Sequence, residues 1–258
     1  METYSKNVCE LKYEFVNAYK GNSHTTEILP NVPAESFLIN EKQLSLLHEF
    51  LNVNPIYSNH IVEKISGVDY TIFEGDLNNY WIDSIKHDAS YAPFYPTWVL
   101  SAWGLALAAK NLGFEQIIDI GSGDGRIAYC GKTSGLESIS IEIDENLVNL
   151  QEDISKKTGV EFNPKCADAT IFNFEDIMPK KSIFVIGGVP EIGEVLAESV
   201  IKNVLEVLEM PDVSFVLTGS HSHREFSRDR TDSGWGTTIK KFELEVMSTI
   251  SLPTYWTM

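Results

Sequence analysis

Residues 116–126, QIIDIGSGDGR, constrain this chain more than any other stretch. Ile117, Ile118 and Ile120 are β-branched and nearly contiguous, the composition of a parallel strand buried on both faces. Asp119 lies near its carboxyl end, and Gly121, Gly123 and Gly125 follow at alternate positions. Glycines so placed let the chain turn sharply and expose backbone N–H groups beside a small molecule. The segment after Arg126, IAYCGK, is apolar enough to begin a helix. Strand, turn and helix form a binding corner of the kind found at the carboxyl edge of α/β sheets.

The spacing decides which small molecule fits. A dinucleotide fingerprint places its third glycine at position 126, which is Arg126, so GxGxxG fails. A nucleoside triphosphate loop would close with Gly-Lys-Ser/Thr, whereas Gly125 precedes Arg126 and Ile127. The form D-x-G-x-G-x-G from Asp119 resembles motif I of the Rossmann-like S-adenosylmethionine-dependent methyltransferases.

Companion motifs follow in chain order. Ser138–Ile143, SISIEI, alternates as a second strand and reaches Glu142, an acidic residue about 20 positions after the glycines that can accept hydrogen bonds from both ribose hydroxyls. Asp144 reads as the cap of a helix whose Leu147, Leu150 and Ile154 share one face. A third strand is expected near Val160–Phe162, followed by Cys166-Ala167-Asp168-Ala169, where the resemblance implies that Asp168 bonds the adenine amino group. Ser182–Ile186 and Val213–Leu217 read as strands four and five around a helix from Glu191 to Leu208, and Phe242–Trp256 as two last strands broken at Pro253.

The fold class expected is therefore α/β: a seven-stranded Rossmann-like methyltransferase sheet over residues 91–258, ending in an antiparallel pair, with a mainly helical extension over residues 1–90. In that extension, Asn40 to Gln43 form a capping box before a helix over Glu41–Leu51. Ser58 is expected to cap a helix bearing Ile61 and Ile65, Val68–Phe73 to form a strand, and Gly21–Pro33 to be a linker. Such extensions often cover the substrate mouth and equally serve packing or dimerisation.

The segment YAPFYPTW, Tyr91–Trp98, precedes an apolar helix over Trp98–Lys110 that feeds the first strand. Phe94, Tyr95, Pro96 and Thr97 resemble an aromatic-proline-threonine segment of archaeal protein lysine methyltransferases and of the Rossmann-like histone lysine methyltransferases. GSGDGRI and the Gly234-Trp235 pair are similar to the archaeal enzymes too. The chain departs from them in its long N-terminal extension, in the loop from Ser220 to Ser233 and in the Gly-Gly-Val-Pro turn after strand four.

The resemblance implies S-adenosyl-L-methionine as cofactor, held by Tyr95, Thr97, Asp119, Gly121, Ser122, Gly123, Asp124, Gly125, Glu142, Ile143, Asp168 and Ala169. Tyr95 and Trp235 are the expected catalytic walls that orient and desolvate an amine. A protein lysine is the first acceptor to consider, a small molecule the second; a non-catalytic binder of the same cofactor is the third reading. His221 and His223 stand two apart in a polar loop and are read as solvated, with proton acceptance as the alternative.

Composition narrows the partners. At a formal net charge of −17, with no segregated basic patch, binding to nucleic-acid phosphates is disfavoured; the acidic surface favours cationic partners and equally suits solubility or a salty or hot cytoplasm. No apolar run approaches the roughly 18 residues of a membrane span and no signal segment opens the chain, so no membrane association and a cytoplasmic location are expected. Cys9, Cys130 and Cys166 are odd in number and widely separated, which suits reduced thiols; no metal site is expected. Oligomeric state is not legible here.

Overall fold

A computed structural model describes residues 1–80, 94–177, 180–187, 190–208, 212–218 and 235–253. The His221 and His223 loop, Tyr91–Pro93 and the last five residues lie outside the described residues.

The main sheet has five parallel strands among the described residues: β4 (Gln116–Ile120), β5 (Glu137–Glu142), β6 (Pro164–Cys166), β7 (Ser182–Ile186) and β8 (Val213–Leu217), in the order β6-β5-β4-β7-β8. That is the 3-2-1-4-5 order of a doubly wound sheet, which reverses direction beside the first strand and opens a crevice at the carboxyl ends. Side chains alternate across it. Ile117, Ile183 and Val185 join one apolar cluster, while Ile118, Ile120, Phe184 and Ile186 join another on the opposite face. Burial on both faces explains the almost continuous isoleucines of β4.

Helices α3 (Val99–Asn111), α4 (Arg126–Ser134) and α5 (Glu145–Thr158) contribute to the first cluster, and α6 (Pro190–Val207) and α7 (Gly236–Lys241) lie with the second. Helix α5 starts where its sequence requires: Asp144 caps it, accepting bonds from the amides of Asn146 (2.8 Å) and Leu147 (3.3 Å).

The N-terminal region has helices as expected and adds a small sheet to them. It carries α1 (Glu2–Ala18), α2 (Glu41–Val53) and an antiparallel sheet of β1 (Thr25–Pro30), β2 (Tyr57–Ile65) and β3 (Val68–Gly75), in the order β1-β3-β2. The segment assigned to a linker contains β1, and the one assigned to a Ser58-capped helix is β2. Ile61 and Ile65 have helical spacing, but Ser66 and Gly67 both adopt positive φ and form a two-residue turn that folds β2 back onto β3. The capping box before α2 forms as expected.

Two other expectations are corrected. Val160 and Phe162 are buried core residues, and the third strand forms four residues later, where Pro164–Cys166 pairs with Ser140–Glu142. Among the described residues no strand follows α7, so the sheet there has five strands where seven were expected. The tail backbone is held by side chains instead of a ladder: the Ser101 hydroxyl donates to the Pro253 carbonyl at 2.6 Å, and Ser5 to that of Ser251. Leu252 packs on the cluster that contains α1 and α3.

One helix–sheet contact depends on an absent side chain. A Cβ at Gly131 in α4 would lie 2.2 Å from Cγ2 of Ile117 and 2.7 Å from the Ser138 hydroxyl, both on stiff strand residues. Gly131→Ala should therefore lower unfolding free energy by about 1–2 kcal/mol in urea titration, overpacking outweighing the gain of about 1 kcal/mol in helix propensity. An unchanged or raised midpoint would show that α4 can lift from β4 without cost.

Candidate functional site

The glycine turn after β4 is built by positive-φ backbone at Gly121, Gly123 and Gly125 (65°, 58° and 78°). Close approach demands glycine at two of them. A Cβ on Gly123 would lie 2.2 Å from the Phe94 ring, and one on Gly125 would lie 2.6 Å from Phe162 and 3.0 Å from Gln151.

The turn does not lay its amides bare, as its sequence suggested. The Gly121 and Ser122 amides donate to the Ile141 carbonyl (2.9 and 3.2 Å), Gly123 to Oε2 of Glu142 (2.8 Å) and Gly125 to the Ser122 carbonyl (2.8 Å). A phosphate needs free N–H donors at such a corner. Here four are already spent inside the protein, and carboxylates stand beside them.

Glu142 lies at the tip of β5 and is 7% exposed. Besides Gly123, it accepts the amides of Ile143 (2.8 Å) and Asp144 (3.1 Å) through Oε1. Burial pushes its carboxyl up; the amides of Asp144, Gly123 and Ile143 oppose that shift. Asp119 is pushed up to about 8, first by burial, with the Ala128 amide opposing and Asp124 and Glu142 adding repulsion. Its Oδ2 accepts from that Ala128 amide at 3.4 Å in the first turn of α4.

Asp168 follows β6, whose end is tied to β5 by the Ala167 amide on the Glu142 carbonyl (2.9 Å). One oxygen of Asp168 accepts from the amide (2.8 Å) and hydroxyl (2.6 Å) of Thr170, a local turn that fixes the carboxylate. Ala169 is buried in the second core cluster and Ile143 is half-buried. Asp119, the glycine turn, Glu142, Ile143, Asp168 and Ala169 are thus gathered at the carboxyl ends of β4, β5 and β6.

Asp124 and Thr97 belong to a buried network around Arg126. All of its N–H groups are used: Nε donates to Oδ1 of Asp124 (2.9 Å), Nη2 to Oδ2 of Asp124 (2.5 Å) and the Tyr57 hydroxyl (3.0 Å), and Nη1 to Glu27 and the Thr97 carbonyl (2.6 Å). Asn54 adds a bond to Asp124 at 3.0 Å. Asp124 is fully buried, so its carboxylate faces this network and not the crevice. Burial opposes charge on Arg126, but Asp124, Tyr57 and Glu27 more than offset it and hold the guanidinium ionised.

The expected catalytic pair is divided. Tyr95 is 36% exposed, next in chain to the Phe94 that covers Gly123. Trp235 is 1% exposed in the second core cluster, and its indole N–H donates to the Thr218 carbonyl (2.8 Å). Trp235 packs among the residues of that cluster.

Gln151 was missed. Fully buried on α5, it donates to the Ser122 hydroxyl (3.0 Å) and the Gly123 carbonyl (2.7 Å) and accepts from Ser140 (2.6 Å), bracing the turn from behind. Its signal was a polar residue on the apolar stripe of Leu147, Leu150 and Ile154. Among the described residues no helix is long and apolar enough to cross a membrane, and no cluster of metal-ligating side chains occurs.

No protein-family profile matches the chain, and no curated protein matches it. Among solved structures it is similar to a protein of Pyrococcus horikoshii at 20% identity and a TM-score of 0.38, over 52% of this chain and 62% of that one. It is similar to an S-adenosylmethionine-dependent methyltransferase of Clostridium acetobutylicum at 15% identity and 0.36, over 45% and 49%. A ribosomal protein L11 methylase of Lactobacillus delbrueckii subsp. bulgaricus is similar at 12% and 0.42, over 58% and 70%. The match spans less than two thirds of the first two of those chains.

Asp119 gives the site a pH signature. Its folded pKa of about 8 stands above the ordinary carboxylate value, so the unfolded chain has already lost the proton where the folded chain keeps it, and stability falls as pH rises toward 8. Asp119→Asn should remove a loss on the order of 1 kcal/mol per pH unit between pH 5 and 8, read by urea unfolding at both pH values. Parallel slopes for the two proteins would place the Asp119 carboxyl in a far wetter environment.

Proposed function

We propose that this chain is a methyltransferase that holds S-adenosyl-L-methionine at the glycine turn and delivers the methyl group to a lysine amine of a basic protein. One observation carries the reading: the turn's amides are consumed internally while Glu142 presents a carboxylate at the same corner. Such a corner repels phosphate and accepts a ligand with hydroxyls and a positive charge. The fit is chemical. When bound, the cofactor supplies a methyl on a cationic sulfonium that needs no anchoring phosphate.

Each residue then has a task. Glu142 spends three lone-pair sites on amides and, of the roughly four on a carboxylate, retains one for a ribose hydroxyl, fewer than the two bonds expected from sequence. Asp168, fixed by Thr170, stands for the adenine edge. Phe94 closes over Gly123 and excludes water from the turn. Tyr95 is assigned to the acceptor side, where an aromatic wall desolvates a lysine amine and lowers its pKa from about 10.4 so that the neutral form can attack. Methyl transfer by direct displacement asks chiefly for alignment, which these groups provide without a catalytic triad. The acidic balance of the chain, −17, draws a basic acceptor toward the site.

Isothermal titration should register S-adenosylmethionine at micromolar concentration and no ATP at millimolar concentration; the reverse order would sink the reading. Glu142→Ala should weaken cofactor binding by about 1.5–3 kcal/mol, the range for losing a hydrogen bond to a charged group. With methyl-labelled cofactor and a cell lysate separated by size, label is expected on protein lysines. Label confined to the small-molecule fraction would move the acceptor to a metabolite.

A further inference from the structure

Glu27 lies on β1, in the N-terminal sheet, and is 1% exposed. One oxygen pairs with Nη1 of Arg126 and the other accepts the Val99 amide at 2.8 Å, at the start of α3. Nη1 of the same arginine also grips the Thr97 carbonyl at 2.6 Å. Glu27 therefore fixes both ends of a short span: residue 99 directly, and residue 97 through Arg126. The same strand takes a further hold, since the Trp98 indole N–H donates to the Thr26 carbonyl at 3.2 Å. Three residues upstream of Thr97 is Phe94, whose ring lies where a Cβ of Gly123 would be.

We propose that Glu27 is a positioning residue for the cofactor site: through Arg126 and the Val99 amide it holds the Phe94–Thr97 segment against the glycine turn, so the N-terminal sheet completes the site from outside the parallel sheet. The inference rests on the reading of that turn as the S-adenosylmethionine site. Its physical basis is geometric. Segment 94–98 forms no helix or strand, so nothing in a ladder holds it in place. Arg126, three residues after Gly123 in the chain, and Glu27 anchor its carboxyl end at Thr97 and Val99, beside the Trp98 bond to Thr26. Arg126 retains Asp124 when Glu27 is neutralised, and the turn itself retains Glu142 and Gln151. Loss of the Glu27 charge thus loosens the aromatic segment selectively, while the ribose and adenine side of the site, at Glu142 and Asp168, stays as it is.

The test compares two ligands on the full chain. Glu27→Gln keeps the shape of the side chain and removes its charge. By isothermal titration, the variant should bind S-adenosylmethionine at least 10-fold more weakly than the unaltered protein, with adenosine affinity changed less than twofold. Equal loss for both ligands would assign Glu27 to general packing, and unchanged affinity for both would make the contact irrelevant to the site; either overturns the proposal. If Glu27→Gln does not fold, as judged by circular dichroism, Arg126→Lys is read in its place. It keeps the charge but cannot hold Glu27, Asp124 and Thr97 together, and it should show the same split between ligands. Absence of binding of either ligand to the unaltered protein would overturn the reading of the turn itself, a result distinct from a bound cofactor indifferent to Glu27.

Discussion

The guanidinium of Arg126 is the group on which the rest of the structure depends. It is 2% exposed, and moving such a charge out of water costs several kcal/mol unless every donor is met. Here every donor is met, by two carboxylates, a phenol and a backbone carbonyl. These partners come from β1, the start of β2, the segment before α3 and the glycine turn itself. A charge that can be buried only when four separate parts of the chain converge makes that convergence a condition of folding. Removing one partner of such a group typically costs about 3–5 kcal/mol, because the remaining charge is stranded. Further contacts run alongside: the Lys12 ammonium on α1 lies 4.8 Å from the centre of the Trp98 ring, a cation–π contact, and one apolar cluster extends from α1 through β1 and α2 to β4. The N-terminal region and the parallel sheet share this core.

Electrostatics at the crevice follow from the same economy of donors. A glycine turn beside a helix start is ordinarily an anion site, because its amides point outward and the helix dipole is positive there. In this chain Asp119 accepts an amide of the first turn of α4, Glu142 accepts an amide of the glycine turn, and Asp124 neutralises Arg126 from within. The corner is converted from a donor surface to an acceptor surface. A backbone shape shared by many nucleotide sites is thereby closed off by side-chain acceptors, with Asp119 pushed up to about 8 by burial and Glu142 taking the Gly123 amide.

How much of this was legible in the sequence depends on distance along the chain. The β4 strand, the glycine turn, the Asp144 cap and the acidic tip of β5 are local patterns, and each appears where its pattern puts it. Gln151 was legible in principle, as a polar residue on an otherwise apolar helical face. In the N-terminal sheet β3 forms where Val68–Phe73 is expected, whereas β2 is hidden because Ile61 and Ile65 mimic a helical stripe; the Ser66-Gly67 pair carries the hairpin signal. Glu27 and Arg126 are 99 residues apart, and no periodicity, cap or turn rule links them. In the sequence Arg126 stands out as the residue that breaks both the dinucleotide and the triphosphate-loop patterns, and nothing there shows what its side chain reaches. The burial of Trp235 is hidden for the converse reason: an aromatic beside a glycine at an element boundary looks the same in sequence whether its ring is enclosed or open.

The three glycines of the turn, equivalent in sequence, differ in what they permit. A Cβ on Gly121 would meet nothing nearer than Leu196 at 3.8 Å, so its requirement is conformational, a positive φ that redirects the chain out of β4. Gly123 admits Phe94 from the segment before α3, and Gly125 admits Phe162 and Gln151 from the region of α5. The turn is therefore a junction, with one glycine steering the backbone and two allowing neighbouring elements to seat against it from different sides. Because Arg126 follows directly and reaches β1, the seating on the Phe94 side is tied to the N-terminal sheet, while the seating on the Gln151 side is tied to the parallel sheet through Ser140. A site held from two independent directions keeps its shape only while both are in place, and that is why a strand lying outside the parallel sheet bears on the chemistry at its edge.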